Sequence, residues 1–253
     1  MSILKNILIF FKDILSPKKC FSCKKEGIYL CEKCFNNLDN FGEYCYICKK
    51  KSPNFKIHKK CLIENKLLNW KNFNDKKIYL DNVIVLTHYK NKIIKKLIIS
   101  FKFYWKKDIW VELWEKLWKL VKNKINISIF NREGLDIVVI PVPLHWLKKI
   151  KRWFNQSEIL AENIANILNI NYNENIIIRK KYTRQQSKLS RQERLNNLNN
   201  SFKIDIKQVD NIDNKIIFLV DDVVSSWTTL NEIEKILKQN WAKKVIWVCV
   251  ASN

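Results

Sequence analysis

Two adjacent carboxylates, Asp221 and Asp222, stand between the apolar run 216–220 and a group of small hydroxyl residues. The hydroxyl residues are Ser225, Ser226, Thr228 and Thr229. A carboxylate pair alone fits a metal site, a clamp for a sugar diol or a helix cap. Hydroxyl and N–H groups at a helix N-terminus, however, form a ready anion site. The combination therefore favours a site for a ribose 5-phosphate, with the diol on the carboxylates and the phosphate on the loop.

Trp227 lies inside this loop, at a point where phosphate-binding backbones usually have glycine because glycine has no Cβ and tolerates positive φ. The composition of the whole chain is likewise poor in Gly and rich in Trp. The chain has 3 Gly and 10 Trp in 253 residues, whereas average usage of about 7% would give roughly 18 Gly. Any explanation of Trp227 must therefore cover the whole chain.

Seven of the eight cysteines lie between residues 20 and 61, in three C-x2-C pairs and a final His-x2-Cys pair. This spacing predicts two zinc sites, because each C-x2-C knuckle supplies two ligands of a tetrahedron. The first set is Cys20, Cys23, Cys31 and Cys34, and the second is Cys45, Cys48, His58 and Cys61. Spacing leaves open an interleaved pairing, in which the first and third knuckles share a metal.

Both zinc ions would be structural, since each has four protein ligands and the segment is too short to bury a core of its own. Cys249 lies in the apolar run 244–250 and is predicted to be a core residue rather than a ligand.

After residue 78, apolar runs alternate with helical patterns, which predicts an α/β fold with a parallel sheet and helices on both faces. The predicted strands are 136–142, 175–178, 215–220 and 244–250, with a strand or hairpin in 78–90. The predicted helices are one with an apolar face over 93–101, and two over 155–169 and 228–239. In such sheets ligands bind beyond the carboxyl ends of the strands, where Asp221 and Asp222 lie. The predicted organisation is an amphipathic helix in 1–15, a double zinc domain in 16–65 and the α/β domain in 78–253.

The segment "FLVDDVVSSWTTL" (218–230) resembles the signature of type I phosphoribosyltransferases. Two further segments are "PVPLHWLKKIKRWFNQSEILAENIA" (141–165) and "QQSKLSRQERLNNLNNSF" (185–202). With the zinc domain in front of them, the chain resembles the ComF family of competence-associated proteins over nearly its whole length. The order of the parts is more specific than any one motif.

The resemblance implies a site for phosphoribosyl pyrophosphate with Mg²⁺. The ribose-phosphate residues would be Asp221, Asp222, Val223, Val224, Ser225, Ser226, Trp227, Thr228 and Thr229. Pro143, Leu144 and His145 would lie near the pyrophosphate, and the segment 152–156, which begins with Arg152, would follow them.

The positions of the arginines support a phosphate site independently of the resemblance. Five of the six Arg lie between 152 and 194, in a chain whose other basic residues are lysines. Arg binds phosphate through a planar, bidentate fork that Lys lacks. The polar segment with Arg179, Arg184, Arg191 and Arg194 is therefore a candidate hood over the ligand, with ordinary surface ion pairs as the alternative.

Tryptophan stands at four positions where the family pattern has glycine: Trp105, Trp153, Trp227 and Trp241. Trp110, Trp114, Trp118 and Trp247 are further candidates, whereas Trp146 fits a genuine tryptophan and Trp70 cannot be assigned. The 10 Trp and 3 Gly together make 13, which is closer to ordinary glycine usage. We interpret this as UGA codons that the organism reads as glycine. In the rival interpretation the tryptophans are real and the site has decayed.

The net charge of +23 has two interpretations. It reflects either a drift of codon usage toward lysine or a nucleic-acid surface. No segment has the roughly 20 apolar residues of a membrane span, and the start lacks the features of a secretory signal, so we expect a cytoplasmic protein. Two function classes follow. One is a phosphoribosyltransferase or phosphoribosyl pyrophosphate-binding protein linked to DNA uptake, with single-stranded DNA and other DNA-uptake proteins as candidate partners. The other is a non-catalytic DNA-binding or scaffold protein that uses the zinc domain and basic surface.

Overall fold

The structure is a computed structural model that describes residues 17–38, 42–63, 79–104, 134–144, 147, 149–150, 154–180, 201–224 and 227–252. Its strands are β1 (Asn82–His88), β2 (Ile137–Pro141), β3 (Asn171–Tyr172), β4 (Ile177–Arg179), β5 (Phe202–Ile204), β6 (Ile216–Val224) and β7 (Lys244–Ser252). Its α-helices are α1 (Glu32–Asn36), α2 (Lys59–Ile63), α3 (Lys92–Tyr104), α4 (Gln156–Leu168) and α5 (Trp227–Gln239). Short 3-10 turns cover Pro53–Phe55 and Ile206–Asn211. The predicted helix in 1–15 lies outside the described residues.

Five parallel strands form the central sheet in the order β1-β7-β6-β2-β3. The predicted α/β fold with a parallel sheet is confirmed. β6 pairs with β2 on one side, from Ile137 opposite Ile216 to Pro141 opposite Val220. On its other side it pairs with β7 as far as Val224 opposite Ser252. The strand that carries the two carboxylates therefore occupies the centre of the sheet.

Both faces of the sheet are buried, which explains why its strands are almost entirely apolar. Helices α3 and α4 cover one face together with the first cysteine group, Cys20 and its neighbours. Helix α5 covers the opposite face together with the second cysteine group, including Cys45 and Cys61. The two cysteine groups thus contribute to two different hydrophobic clusters of the same sheet.

Two strand predictions need correction. The run 175–178 was expected among the parallel strands, but its apolar residues lead into β4, which pairs antiparallel with β5 in a separate two-stranded sheet. The parallel position at that edge is taken by β3, a two-residue strand. Strand β6 also continues four residues past the predicted end at 220, through Asp221 and Asp222. It continues because β7 still offers partners there, up to Ser252.

The remaining elements agree with the predictions to within a few residues. Helices α4 and α5 lie where the apolar spacing predicts them, and the segment 78–90 forms one strand, β1, rather than a hairpin. Among the described residues, no helix has both the length and the apolar character needed to cross a membrane.

Candidate functional site

The two carboxylates lie in the last part of β6, beyond the end of its neighbour β2. Strand β2 ends at Pro141, opposite Val220, and the N–H of Val142 donates to the Val220 carbonyl at 2.9 Å. Asp221 is half-buried, and Asp222 is 7% exposed. Helix α5 begins at Trp227, three residues after β6 ends. The carboxylates therefore stand between an open strand end and a helix N-terminus.

Asp221 is held in place by the first turn of α4. The Ser157 hydroxyl donates to Asp221 Oδ1 at 2.9 Å, and the N–H of Asp222 donates to the same oxygen at 2.8 Å. Two donors on one oxygen fix the orientation of the carboxylate and leave Oδ2 outside this pair of bonds. Ser157 is 4% exposed, so its hydroxyl is shielded from competing water.

The start of α4 is itself tied to the sheet by Asn155. The Asn155 side-chain oxygen accepts from the N–H of Ser157 at 3.1 Å, which is the usual N-cap bond. The Asn155 side-chain amide donates to the Val142 carbonyl at 3.1 Å. Because Val142 follows the end of β2, this bond links the helix start to the strand end that borders Asp221.

Arg179 places a cation near Asp221. It ends β4, and its guanidinium carbon lies 5.1 Å from the centre of the Phe202 ring on β5. Burial lowers the pKa of Arg179, and the charge of Asp221 acts in the opposite direction. The two residues thus interact electrostatically between the two-stranded sheet of β4 and β5 and the central sheet. Arg179 is the one predicted hood arginine that lies within the described residues.

The other predicted site residues have different positions. Pro143 and Leu144 are half-buried directly after β2, and Thr229 is half-buried in α5. Val223 and Val224 are in β6, and the backbone of Trp227 and Thr228 forms the first turn of α5. His145, Arg152, Arg184, Arg191, Ser225 and Ser226 lie outside the described residues.

Cys249 lies beside the carboxylates as a core residue. It pairs with Asp221 across β6 and β7 and is fully buried. Burial raises the pKa of its thiol well above the ordinary value, and the charges of Asp221 and Asp222 add to this. A thiol kept protonated in the core fits the prediction that Cys249 is not a metal ligand.

The other cysteines and one histidine form two compact groups, Cys20, Cys23, Cys31, Cys34 and Cys45, Cys48, His58, Cys61. Within each group the ligand atoms all lie within 4.8 Å of one another. A tetrahedral zinc with Zn–S bonds near 2.3 Å separates its sulfurs by about 3.8 Å. Both groups therefore fit zinc, and they use consecutive pairs rather than the interleaved pairing that spacing left open.

Each group begins with the same backbone turn. The N–H of Cys20 donates to the Lys25 carbonyl and the N–H of Cys45 to the Lys50 carbonyl, both at 2.8 Å. Lys24 and Lys49 have positive φ values of 67° and 59°. In the second group, Cys48 Sγ lies 3.3 Å from His58 Nδ1. His58 therefore lies close enough to the three cysteines to be the fourth ligand of this group.

Ser157 and Asn155 are site residues that sequence reasoning did not assign. The bond between Ser157 and Asp221 joins residues 64 positions apart, which no local pattern reveals. One signal was present, since an asparagine at the first position of the predicted helix, Asn155, is a typical N-cap.

Comparison with known proteins agrees with this geometry. Residues 155–253 match the model of the phosphoribosyl transferase domain family. Over 233 residues the chain is 26% identical to competence protein F of Haemophilus influenzae, covering 90% of this chain and 88% of that protein. It is also 32% identical over 110 residues to DNA utilization protein YhgH of Salmonella typhimurium, and 30% identical over the same length to its Escherichia coli counterpart. These two alignments cover 43% of this chain and 47% of each relative, about half its length.

The solved structure of the allosteric regulatory enzyme of purine biosynthesis superposes with a TM-score of 0.31 and 20% identity, over 49% of this chain and 23% of that chain. So low a TM-score adds nothing to the assignment. The assignment rests on the parallel sheet and on the sequence matches. Residues 155–253 thus resemble a phosphoribosyl transferase domain, and the chain is similar to competence protein F over most of its length, as its resemblance to the ComF family predicts.

Proposed function

We propose that the chain binds phosphoribosyl pyrophosphate at the carboxyl end of β6. The observation that carries this proposal is the position of Asp221 and Asp222, in the central strand just before the N-terminus of α5. Carboxylate oxygens accept hydrogen bonds from the ribose hydroxyls. The N–H groups in the first turn of a helix attract a phosphate, here the 5-phosphate. The positive charge of Arg179 also interacts with Asp221.

The site also suits Mg²⁺. This ion is usually bound through one or two carboxylates together with the phosphates of a substrate. Asp221 and Asp222 supply such oxygens, and Ser157 orients one of them. When bound, Mg²⁺ neutralises charge on the pyrophosphate. The chemistry open to such a complex is transfer of the phosphoribosyl group to a nucleophile, with pyrophosphate as the leaving group.

We further propose that Trp227 and Trp241 are glycines in the cell's own protein. Trp241 supports this through its backbone, which has a φ of 60°. It follows α5 in a Schellman turn, in which its N–H donates to the Lys238 carbonyl and the N–H of Ala242 to the Leu237 carbonyl. Glycine is the usual residue at this position of the motif, because a Cβ is unfavourable at positive φ. The Trp241 side chain is 70% exposed, so packing does not explain it.

Trp247 has a different environment, and we retain tryptophan there. Its side chain is fully buried in the sheet, and its indole N–H donates to Glu234 Oε2 at 3.0 Å. Glycine at this position would leave a large cavity and an unpaired carboxylate oxygen. The recoding proposal therefore applies to turn and loop positions and not to every tryptophan.

Calorimetry with phosphoribosyl pyrophosphate and Mg²⁺ tests both proposals together. We expect the Trp227→Gly protein to bind the ligand and the sequence as printed not to bind it. The reason is local, since backbone amides must come within about 2.9 Å of the phosphate and an indole at the closest point prevents this. Trp241→Gly serves as the control variant, because position 241 precedes β7 and so lies at the amino ends of the strands, away from the carboxylates. It should leave ligand binding unchanged.

Equal affinity with Trp or Gly at 227 would contradict the loop assignment and the recoding proposal. If neither form binds, the rival interpretation of a decayed site gains support. The coding DNA gives an independent answer, because recoding requires UGA at positions 227 and 241.

We also propose a role in DNA uptake, on the basis of the two relatives whose names refer to competence and to DNA utilization. The features of this chain that support it are its net charge of +23 and its two zinc-binding groups. In this role the phosphoribosyl transferase domain binds a nucleotide precursor, and the basic surface contacts DNA. The non-catalytic scaffold remains the alternative if the glycine form binds DNA and no phosphoribosyl pyrophosphate.

A further inference from the structure

Helix α5 carries three polar side chains on one face, at Asn231, Glu234 and Lys238. Residues three and four apart lie on the same side of a helix, so the three form a polar stripe. Asn231 is 6% exposed and Glu234 is 0% exposed, while their neighbours Leu230 and Ile233 are buried apolar residues of the core. Buried polar side chains are costly unless they are hydrogen-bonded, so the partners of the stripe matter.

The partners of the stripe include backbone groups just before β1. The N–H of Tyr79 donates to Asn231 Oδ1 and the N–H of Asp81 donates to Glu234 Oε1, both at 2.9 Å. Tyr79 and Asp81 lie two residues apart, directly before the first residue of β1. Two side chains of α5 therefore hold the segment that leads into the edge strand.

Asp81 is a junction between three parts of the molecule. Its Oδ2 pairs with Lys238 Nζ at 2.5 Å and accepts from the N–H of Val245 at 3.1 Å, so it bonds to α5 and to β7. Its carbonyl accepts from the N–H of Ile57 at 3.0 Å. Ile57 directly precedes His58, a member of the second zinc-binding group. Asp81 therefore connects the second zinc-binding segment to α5.

Glu234 completes the connection inside the core. Its Oε2 accepts from the indole N–H of Trp247 at 3.0 Å, so each of its two oxygens faces an N–H donor. Burial and the charge of Asp81 raise the pKa of Glu234, and the two hydrogen bonds and the charge of Lys238 oppose this shift. An amide in the same place has only one oxygen and satisfies only one of the two donors.

The polar stripe lies on the helix whose first turn would hold the 5-phosphate. Glu234 is seven residues after Trp227, where α5 begins, which is about 10 Å along the helix axis. Packed helices shift as units, by about 1–2 Å, so a shift at Glu234 reaches the first turn. Phosphate binding by backbone N–H groups is sensitive to shifts of this size, because a hydrogen bond of about 2.9 Å is lost by about 3.6 Å.

We propose that Asp81 and Glu234 position α5 for phosphate binding and join that helix to the second zinc-binding segment. The proposal rests on the proposed binding of phosphoribosyl pyrophosphate at the carboxyl end of β6. Asp81 lies before β1, at the amino ends of the strands, so it acts on the site through the helix and not by contact. The second zinc-binding group and the ligand site are then linked, and occupation of either favours binding at the other.

The test is calorimetry with phosphoribosyl pyrophosphate and Mg²⁺ on the full-length, zinc-loaded chain with Trp227→Gly. Glu234→Gln keeps the size of the side chain but leaves one N–H donor without an acceptor. We expect this variant to bind the ligand roughly three- to tenfold more weakly. Glu232→Gln is the matched control, because it makes the same change of charge on another face of α5. It should change the affinity less than about twofold.

A second substitution separates positioning from stability. Trp247→Phe removes the indole N–H that opposes the new amide, so Glu234→Gln with Trp247→Phe should regain most of the affinity, although it unfolds at a lower temperature. A merely structural role would lower the unfolding temperature of Glu234→Gln and leave the affinity of its folded form unchanged. If Glu234→Gln does not fold, Lys238→Met takes its place with the same expected loss, because it removes the ion pair with Asp81 at the half-buried end of the stripe.

A titration with a chelator that prefers zinc to Mg²⁺ tests the link to the second zinc-binding group. Saturating ligand should shift the removal of one of the two zinc ions to a chelator concentration about fivefold higher or more, and Glu234→Gln should reduce this shift. Equal affinities of Glu234→Gln and Glu232→Gln, no recovery with Trp247→Phe, or a titration that the ligand does not shift would each overturn the proposal while ligand binding itself stands. No binding by the Trp227→Gly chain would instead overturn it together with the proposed function.

Discussion

At the residue scale, the backbone at position 241 conflicts with the side chain printed there. Non-glycine residues with positive φ in the described chain include Asn54, Asn169 and Asn214. Asparagine visits this region readily because its short side chain bonds locally. Trp241 has no such compensation, and most of its indole lies in solvent. The printed residue is therefore a cost to the fold rather than a contribution.

Trp241→Gly is expected to raise the free energy of unfolding by about 1 kcal/mol. A Cβ in the left-handed region costs roughly 1–2 kcal/mol, and the greater entropy of glycine in the unfolded chain offsets part of the gain from removing it. Thermal unfolding should move upward by a few degrees, about 2–4 °C per kcal/mol for a chain of this size. Trp241→Ala is the matched control, because it removes the indole and keeps the Cβ. An equal gain with alanine would mean that the exposed indole, and not φ, is responsible.

At the element scale, the first turn of α4 positions the carboxylate of β6. Ser157→Ala removes the hydroxyl that donates to Asp221 and leaves the Asn155 cap intact. In the Trp227→Gly background we expect phosphoribosyl pyrophosphate to bind roughly three- to tenfold more weakly, in line with about 0.5–1.5 kcal/mol for one hydrogen bond. Ser157→Thr restores a hydroxyl and should recover most of the affinity. If alanine and threonine bind the ligand equally, Ser157 has no positioning role.

The elements also show what the sequence could and could not predict. Apolar runs predict β2, β6 and β7, because a strand buried on both faces must be apolar along its whole length. The same rule wrongly places the run 175–178 in the parallel sheet. Apolar character does not determine which strand pairs with which, and β4 pairs with β5, a strand that comes later in the chain. The carboxylates and the eight metal-ligand positions are predictable from local spacing. The hydrogen bond between Asp221 and Ser157 and the electrostatic interaction of Asp221 with Arg179 are not, because they join distant segments.

At the scale of the whole molecule, the two zinc-binding groups are part of the hydrophobic core. The first packs on the face of the sheet covered by α3 and α4, and the second on the face covered by α5. Leu30 and Phe35 are nearly fully buried in the first cluster, and Tyr44 and Ile57 in the second. Metal bound at these groups would therefore contribute to the stability of the sheet as well as to their own folding.

Zinc removal should accordingly affect more than the cysteine segments. We expect metal analysis to give two Zn²⁺ per chain. A strong chelator should speed amide hydrogen exchange in residues 17–63 and also in β1, the strand next to the second group. Cys20→Ser should lose the first zinc, whereas Cys249→Ser should keep both because Cys249 is a buried core residue. Protection in β1 that survives chelation would show that the sheet is stable without its metals.

The contact between the second zinc-binding segment and β1 also bears on solubility. Strand β1 is the edge of the sheet, and Lys56 forms an antiparallel bridge to Asn82 at its start. The Asn82 side-chain amide also donates to the Asn54 carbonyl at 2.7 Å. An uncovered edge strand offers free N–H and C=O groups to other chains. Because β1 is apolar, copies of the protein exposed in this way would pair through it and aggregate. A cell short of zinc would then accumulate this protein as aggregates, and metal supply during synthesis would set how much of it reaches the native state.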